Sequence, residues 1–254
     1  MIIDGHVHIT PGGWAAFNPE RAHAMGLDAL MAYSGAWGET GQSMALCRAQ
    51  NDHLASLRDA HPRMVAPLPT AHPRFGGDAA DEIERCIRRL GMPGVGFNPH
   101  QSGFGVLRAS YTVGSSLARS PLCEMIRSLE VPVVFDCDYL VDYSSPAQIG
   151  ELARGLRRNT IIMNHSGWNA LWPMAIEVAM RAENLMLGTA SLPTLGIRQA
   201  VERLGAERVI FGTDFPCDNG DTVAYELAKV HALRLPSAKE EAVLGGNLKR
   251  MLGW

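Results

Sequence analysis

The sequence lacks the features that mark secreted, membrane-bound or nucleic-acid-binding proteins. Its five cysteines are odd in number and include no C-x-x-C pair, so neither a disulfide framework nor a zinc knuckle is predicted. No basic leader precedes an apolar core, and no apolar run approaches the ~18 residues that span a bilayer. The net charge of −3 offers no basic surplus to a nucleic acid or an anionic membrane. We therefore expect a cytoplasmic protein without nucleic-acid or membrane partners.

The chain does contain enough apolar sequence for one large core. Its 254 residues are 46% hydrophobic, which suits a single domain over 1–254. Eight short apolar runs alternate with segments of helical periodicity, and glycine or proline marks many of the joins. The runs are 2–8, 28–34, 63–69, 94–99, 132–138, 160–165, 184–190 and 208–214. This alternation predicts a parallel (β/α)8 barrel, with a doubly wound open sheet as the alternative.

Residues of the type that binds metals close four of the eight runs. His6 and His8 are separated by one residue, so both imidazoles point to the same face of a strand. The later candidates are Asp136, Asp138, His165 and Asp214. Because reactive groups of (β/α)8 barrels lie at the carboxyl ends of the strands, we expect these side chains to share one mouth. Mixed imidazole and carboxylate groups predict a divalent metal site there.

Four segments together resemble the amidohydrolase superfamily, and in particular its branch of aminocarboxymuconate-semialdehyde decarboxylase and several lactonases. They are IDGHVH at 3–8, IMNHSG at 162–167, VIFGTDFP at 209–216 and LGGNLKRML at 244–252. The resemblance covers essentially the whole chain and implies a barrel that holds one or two divalent ions. It implies that His6, His8 and Asp214 bind metal. It also implies that His165 is a base or a ligand of a second ion.

The chain departs from this family pattern at the end of the fifth strand. The family usually has histidine there, whereas this chain has Asp136. A carboxylate still binds metal, and it adds negative charge and bridging capacity. The only lysines, Lys229, Lys239 and Lys249, follow the eighth run, so the carboxylated lysine that bridges two ions in some members is excluded.

Two arrangements of the metal site therefore remain open. Two ions could be bridged by hydroxide and Asp136, or one ion could be held by His6, His8, Asp136 and Asp214. Zinc, iron and manganese all accept such ligands. His100 is either another ligand or a loop histidine, and Asp138 shares a face with Asp136 and either binds metal or supports a ligand.

We expect a hydrolase from the chemistry of such a site. A divalent ion lowers the pKa of bound water towards ~7 and polarises carbonyl groups. Asp214 would accept a proton from that water, and His165 would bind a second ion or donate a hydrogen bond to an oxyanion. The expected substrates are an ester, a thioester such as an acyl-CoA, a lactone or an amide. A non-oxidative decarboxylase and a non-catalytic binding barrel are the alternatives. A homodimer is the commonest oligomer and is kept as an open expectation.

Aromatic residues follow several of the strands and indicate a small-molecule substrate with an apolar portion. They are Trp14, Phe17, Trp37, Phe104, Tyr111, Tyr139, Tyr143, Trp168 and Trp172. The glycine-rich segment 101–116 is the candidate lid over the pocket, with Arg108 on it.

Overall fold

In the part of the chain that the structure describes, eight parallel strands follow one another and surround a common axis. The computed structural model describes residues 1–12, 16–35, 41–107, 114–138, 143–216 and 222–254. The strands are β1 (Ile3–Ile9), β2 (Ala29–Ser34), β3 (Val65–Leu68), β4 (Val95–Phe97), β5 (Val133–Asp136), β6 (Ile161–Asn164), β7 (Leu185–Gly188) and β8 (Val209–Ile210).

The strands pair in chain order, as expected for a barrel and not for a doubly wound sheet. β1 to β3 form one parallel sheet and β4 to β8 form another. Main-chain hydrogen bonds connect the two sheets at both seams: Gly96 N–H donates to Pro69 O (3.0 Å), and Gly5 N–H donates to Phe211 O (2.9 Å). The prediction of a (β/α)8 barrel is confirmed.

Helices follow most of the strands. They are α1 (Pro19–Ala24), α2 (Met44–Ala60), α3 (Gly77–Arg88), α4 (Pro99–Ser102), α5 (Pro121–Leu129), α6 (Pro146–Gly155), α7 (Trp168–Met180), α8 (Thr194–Leu204), α9 (Thr222–His231), α10 (Ser237–Glu241) and α11 (Asn247–Leu252). Side chains of Ser43, Asn98 and Ser120 accept hydrogen bonds from the first turns of α2, α4 and α5, which fixes where those helices begin. Among the described helices, none is long and apolar enough to cross a membrane.

Alternation along the strands divides the apolar residues between two layers. Val133 and Phe135 of β5 pack in the large cluster that includes the helices, whereas Val134 joins the smaller cluster inside the barrel. Asp136 therefore has the inward parity of Val134. In β1 the pairing with β2 is irregular between Asp4 and Val7, and such an irregularity changes which face later residues occupy.

The strands are shorter than the apolar runs that predicted them, and β8 is the extreme case. The run covers 208–214, but only Val209–Ile210 is regular strand. Asp214 has a φ of 66°, which interrupts an extended ladder, although its N–H still donates to His6 O (2.9 Å). This part of the chain therefore continues along β1 without being regular strand.

His72 follows β3, and its hydrogen bonds require a neutral ring. Nδ1 accepts the Arg74 N–H (3.2 Å), which leaves Nε2 to donate to Ser102 O (3.0 Å). Burial lowers the pKa of His72 to about 4. Because the pKa of His72 is lower in the folded protein than its value near 6.5 in the unfolded chain, the neutral ring favours folding at pH values above 6.5. This contribution to stability is lost as the pH falls towards 4.

We accordingly expect His72→Asn to change the acid dependence of unfolding. Asparagine can still accept the Arg74 N–H, but it does not titrate. Between pH 6.5 and 4 the wild type should lose up to about 3 kcal/mol of stability that the variant does not lose. Urea unfolding of both proteins across this interval measures the difference. Parallel curves for the two proteins would contradict the prediction.

Candidate metal centre

Two imidazoles and a carboxylate meet where β1 and the turn after β8 end. His6 Nε2 lies 3.1 Å from His8 Nε2, and Asp214 Oδ1 lies 2.9 Å and 3.2 Å from these two nitrogens. His6 and His8 are at most 1% exposed. Three atoms with lone pairs so close together in a buried site require a cation or shared protons between them. Three of the residues that the sequence predicted at one mouth, His6, His8 and Asp214, therefore lie close enough together to hold one ion.

Asp136 and His165 complete the cluster from neighbouring strands. The Asp136 carboxylate lies 3.2 Å from His6 Nε2 through Oδ1 and 3.6 Å from His8 Nε2 through Oδ2. His165 Nε2 lies 3.6 Å from Asp214 Oδ2. Among the described residues, two overlapping groups have the spacing of metal ligands. These groups are His6, His8 and Asp214, and His6, Asp136 and His165.

Buried hydrogen bonds that the Asp4 carboxylate accepts fix the relative positions of β1 and the turn after β8. Its Oδ1 accepts the N–H groups of His6 (3.1 Å) and Thr213 (3.0 Å), and its Oδ2 accepts the Thr213 hydroxyl (2.6 Å). Burial raises the pKa of Asp4 to about 6, against these hydrogen bonds. A Cβ on Gly212 would lie 2.9 Å from the His6 Cβ, so only glycine lets the two chains approach this closely.

A left-handed turn presents His165 to the cluster. His165, Ser166 and Trp168 have φ values of 56°, 48° and 55°, which are rare outside glycine. The Ser166 hydroxyl lies 3.0 Å from both Met163 O and Gly188 O and so ties the turn to β6 and β7. The Trp168 ring stacks on the His165 imidazole, with 4.4 Å between centroids. Backbone strain at this turn is compatible with a functional position.

The charges of the cluster are strongly coupled. Burial lowers the pKa of His6, but the carboxylates of Asp136 and Asp214 outweigh it and raise the pKa to about 9. Burial would raise the pKa of Asp214, but the imidazoles around it hold the pKa well below its usual range. Burial and the neighbouring His6 lower the pKa of His165 to about 4. Asp214 is thus held as a carboxylate and His165 as a neutral imidazole at neutral pH.

Sequence reasoning missed two residues that contact Asp136. The Tyr33 hydroxyl donates to Asp136 Oδ1, and the Asn98 amide Nδ2 donates to Asp136 Oδ2. Burial, followed by the nearby Asp136 charge, raises the pKa of Tyr33 well above its usual value. The sequence contained a sign of the Tyr33 contact, because Tyr33 is two residues after Met31 near the end of β2 and so points to the same, inner face of the barrel.

His100 and Asp138, whose roles the sequence left open, form a pair with each other. His100 Nδ1 lies 2.8 Å from Asp138 Oδ2, and the His100 ring contacts Tyr143 at 5.0 Å between centroids. Neither residue belongs to the groups of possible metal ligands in the described part of the chain. The ion pair with Asp138 holds the His100 ring at the edge of the barrel mouth, outside the group of candidate metal ligands.

The predicted aromatic wall is only partly at the mouth. Phe104 is buried against Phe97 and His72 and belongs to the core. Trp172 packs against Gly196, whereas Trp168 contacts His165 directly. Trp14, Trp37, Tyr111, Tyr139 and Arg108 lie outside the described residues, as do positions 108–113 of the candidate lid.

Gly96 makes the space that Tyr33 occupies. A Cβ at position 96 would lie 2.7 Å from both the Cβ and the Cγ of Tyr33. We expect Gly96→Ala to lower the free energy of unfolding by about 1–3 kcal/mol through overpacking. Gly77→Ala is the matched control, because a Cβ there meets nothing within 4 Å. Chemical denaturation of both variants checks this, and equal stabilities would show that β2 moves away freely.

A (β/α)8 barrel with imidazoles and carboxylates at its carboxyl-terminal mouth defines the class of metal-dependent barrel enzymes. The chain belongs to the amidohydrolase family, whose sequence model matches residues 3–254. It is 21% identical over 254 residues to 2-amino-3-carboxymuconate-6-semialdehyde decarboxylase of Dictyostelium discoideum, with 86% of this chain and 69% of the relative covered. The resemblance inferred from the sequence is confirmed.

Solved structures show the same fold at low identity. A 2,6-dihydroxybenzoate decarboxylase from Rhizobium superposes with a TM-score of 0.77 and 16% identity, covering 99% of this chain and 98% of that one. A dihydroxybenzoic acid decarboxylase from Polaromonas, with bound manganese and 2-nitroresorcinol, superposes with a TM-score of 0.75 and 17% identity. This match covers 99% of this chain and 96% of that one. The prediction of a divalent metal cofactor is confirmed.

The prediction of hydrolysis is wrong. The curated relative and both solved structures are decarboxylases, so the alternative of non-oxidative decarboxylation agrees better with the comparisons. The physical reason for the error is that the ligand residues are common to both reactions. A metal that can generate hydroxide can equally bind a carboxylate substrate, and nothing in His6, His8 or Asp214 distinguishes the two.

Proposed function

We propose that this protein is a metal-dependent, non-oxidative decarboxylase of a small carboxylic acid with an apolar portion. The observation that carries the choice of reaction is the similarity of the chain to a decarboxylase, at 21% identity over 254 residues. The Asp214 carboxylate among the imidazoles of His6, His8 and His165 supports the metal site that either reaction would need. Manganese is the first metal to test, because one of these relatives contains it.

We assign one divalent ion to His6, His8, Asp136 and Asp214. The donor set fits, because the Nε2 atoms of His6 and His8 lie 2.9–3.6 Å from the carboxylate oxygens and two negative charges offset a 2+ ion. His6 is common to both candidate ligand groups and directs the same Nε2 into each of them. One nitrogen ligates one ion, so this geometry supports a single site and not two.

An ion held by these residues would bind the substrate and act as a Lewis acid that stabilises the negative charge left on the substrate when CO2 departs. In the reaction the bond between the carboxylate carbon and its neighbour breaks, CO2 leaves, and the electron pair stays on the neighbouring carbon, which takes up a proton. Because Asp214 is held as a carboxylate and His165 as a neutral imidazole, this proton would come from solvent water. We assign its transfer to these two residues, because Asp214 Oδ2 and His165 Nε2 lie 3.6 Å apart beside the cluster. Trp168, stacked on His165, would contact the apolar part of the substrate.

The test compares decarboxylation with hydrolysis in the same sample. Protein loaded with Mn2+ is incubated with a panel of hydroxylated benzoates and unsaturated dicarboxylates, and with esters and lactones of matched size, in H218O. We expect CO2 release from members of the first set, with no 18O in the decarboxylated product. Incorporation of 18O into new carboxylates without release of CO2 would reject the proposal.

A further inference from the structure

Asp136 is held by two donors that approach its two oxygens separately. The Tyr33 hydroxyl donates to Oδ1 and the Asn98 amide donates to Oδ2. Asp136 is 6% exposed, Asn98 is 9% exposed and Tyr33 is 1% exposed, so water has little access to this arrangement. An ionised carboxylate has about four lone-pair sites, so each oxygen keeps lone pairs for a metal after accepting these bonds.

The orientation of the Asn98 amide is fixed from the other side. Asn98 Oδ1 accepts the Gln101 N–H (3.0 Å) as the N-cap of α4, which identifies its oxygen and leaves Nδ2 to face Asp136. The amide cannot rotate to offer its oxygen to position 136 without losing the cap. Asn98 therefore presents a donor to the end of β5 at all times.

Tyr33 is equally constrained. Its ring lies against Gly96 in the barrel interior, where a side chain at position 96 would collide with it. The ring edges of His6 and His8 contact Tyr33 at 5.7 Å and 4.6 Å between centroids. The hydroxyl thus reaches Asp136 from a ring that is packed on several sides, and such packing limits its freedom to point elsewhere.

We propose that Tyr33 and Asn98 are positioning residues that make the end of β5 specific for a carboxylate ligand in place of histidine. The inference rests on the proposed metal site. A neutral imidazole that gives one nitrogen to the metal keeps only one other nitrogen, which in that tautomer is a donor. It cannot accept from both Tyr33 and Asn98, whereas a carboxylate can. The two donors therefore suit an aspartate at position 136 and not a histidine.

The test measures the affinity of metal-free protein for Mn2+ by calorimetry, without any substrate. We expect Tyr33→Phe and Asn98→Ser to weaken binding about 10- to 100-fold, the range found when supports of metal ligands are removed. Serine keeps the oxygen that caps α4, so the helix is preserved. Tyr225→Phe is the matched control, because Tyr225 is 65% exposed. The Mn2+ affinity of this variant should equal that of the wild type.

The same substitutions are then made together with Asp136→His. If the donors select a carboxylate, Tyr33→Phe and Asn98→Ser should restore part of the Mn2+ affinity that Asp136→His loses. Each substitution would then weaken Mn2+ binding in the wild type and strengthen it in the Asp136→His background. A structural role would weaken binding equally in both backgrounds and would overturn the inference. Asn98→Ser alone decides the matter if Tyr33→Phe does not fold. Failure of the wild type to bind Mn2+ would instead reject the proposed metal site.

Discussion

Asp214→Asn is expected to reduce kcat about 1000-fold while the barrel stays folded. Asp214 lies within 3.6 Å of three imidazoles, and its carboxylate is the group assigned both to the metal and to the proton. An amide of the same shape cannot carry that proton, and general acid–base groups contribute about 10²–10⁴-fold to rates. Single-turnover assays at saturating Mn2+ separate this loss from weaker metal binding.

The control for this variant removes a carboxylate elsewhere. Asp81 is exposed on α3, so Asp81→Asn should retain wild-type turnover. Far-UV circular dichroism and thermal unfolding confirm that both variants are folded. A wild-type kcat for Asp214→Asn at saturating Mn2+ would show that Asp214 takes no part in the chemical step. This result would leave the assignment of the other metal ligands unchanged.

Removal of the metal is expected to abolish turnover and to destabilise the protein. Without an ion, the buried imidazoles of His6 and His8 keep their Nε2 atoms 2.9–3.6 Å from the carboxylate oxygens of Asp136 and the partly exposed Asp214. A ligand present at 100 times its Kd stabilises the folded state by about 2.7 kcal/mol, and chelation removes this contribution. Addition of Mn2+ should restore both activity and the unfolding temperature.

Asp136→Asn extends the same experiment to one ligand. It should lower both the bound Mn2+ per chain, measured by elemental analysis, and the rate. Unchanged values for both quantities would exclude Asp136 from the metal. A matched substitution at the rim, Asp138→Asn, should leave the metal content unaffected, since Asp138 pairs with His100.

The alternation of apolar runs and amphipathic segments was sufficient to predict the barrel, because each strand and helix has its own periodicity. The ends of the strands were not predictable in the same way. Asp214 lies in an apolar run, but its positive φ and its hydrogen bond to His6 O are set by tertiary contacts. The sequence shows that residue 214 is an aspartate, not that the backbone turns there.

The candidate cluster was predictable in part for a related reason. A barrel brings the carboxyl-terminal parts of its strands, and the residues that follow them, to one mouth. The cluster residues lie in these places, namely His6, His8, Asp136, His165 and Asp214. Tyr33 and Asn98 were missed because neither residue type suggests a ligand and their role exists only through contact with Asp136. The choice between hydrolysis and decarboxylation was made wrongly, with decarboxylation kept only as the alternative, because the two reactions differ in their substrate contacts and not in the ligand residues.

The hydrogen bonds that Thr213 donates to Asp4 join residues 209 positions apart. Contacts of such long sequence separation form late, because most of the chain must be ordered before its distant ends can meet. On the ribosome, a nascent chain that has not yet emerged past Asp214 has His6 and His8 without their partner. Binding of the metal ion is thus expected to be among the last events of maturation, after the two ends of the chain have come together.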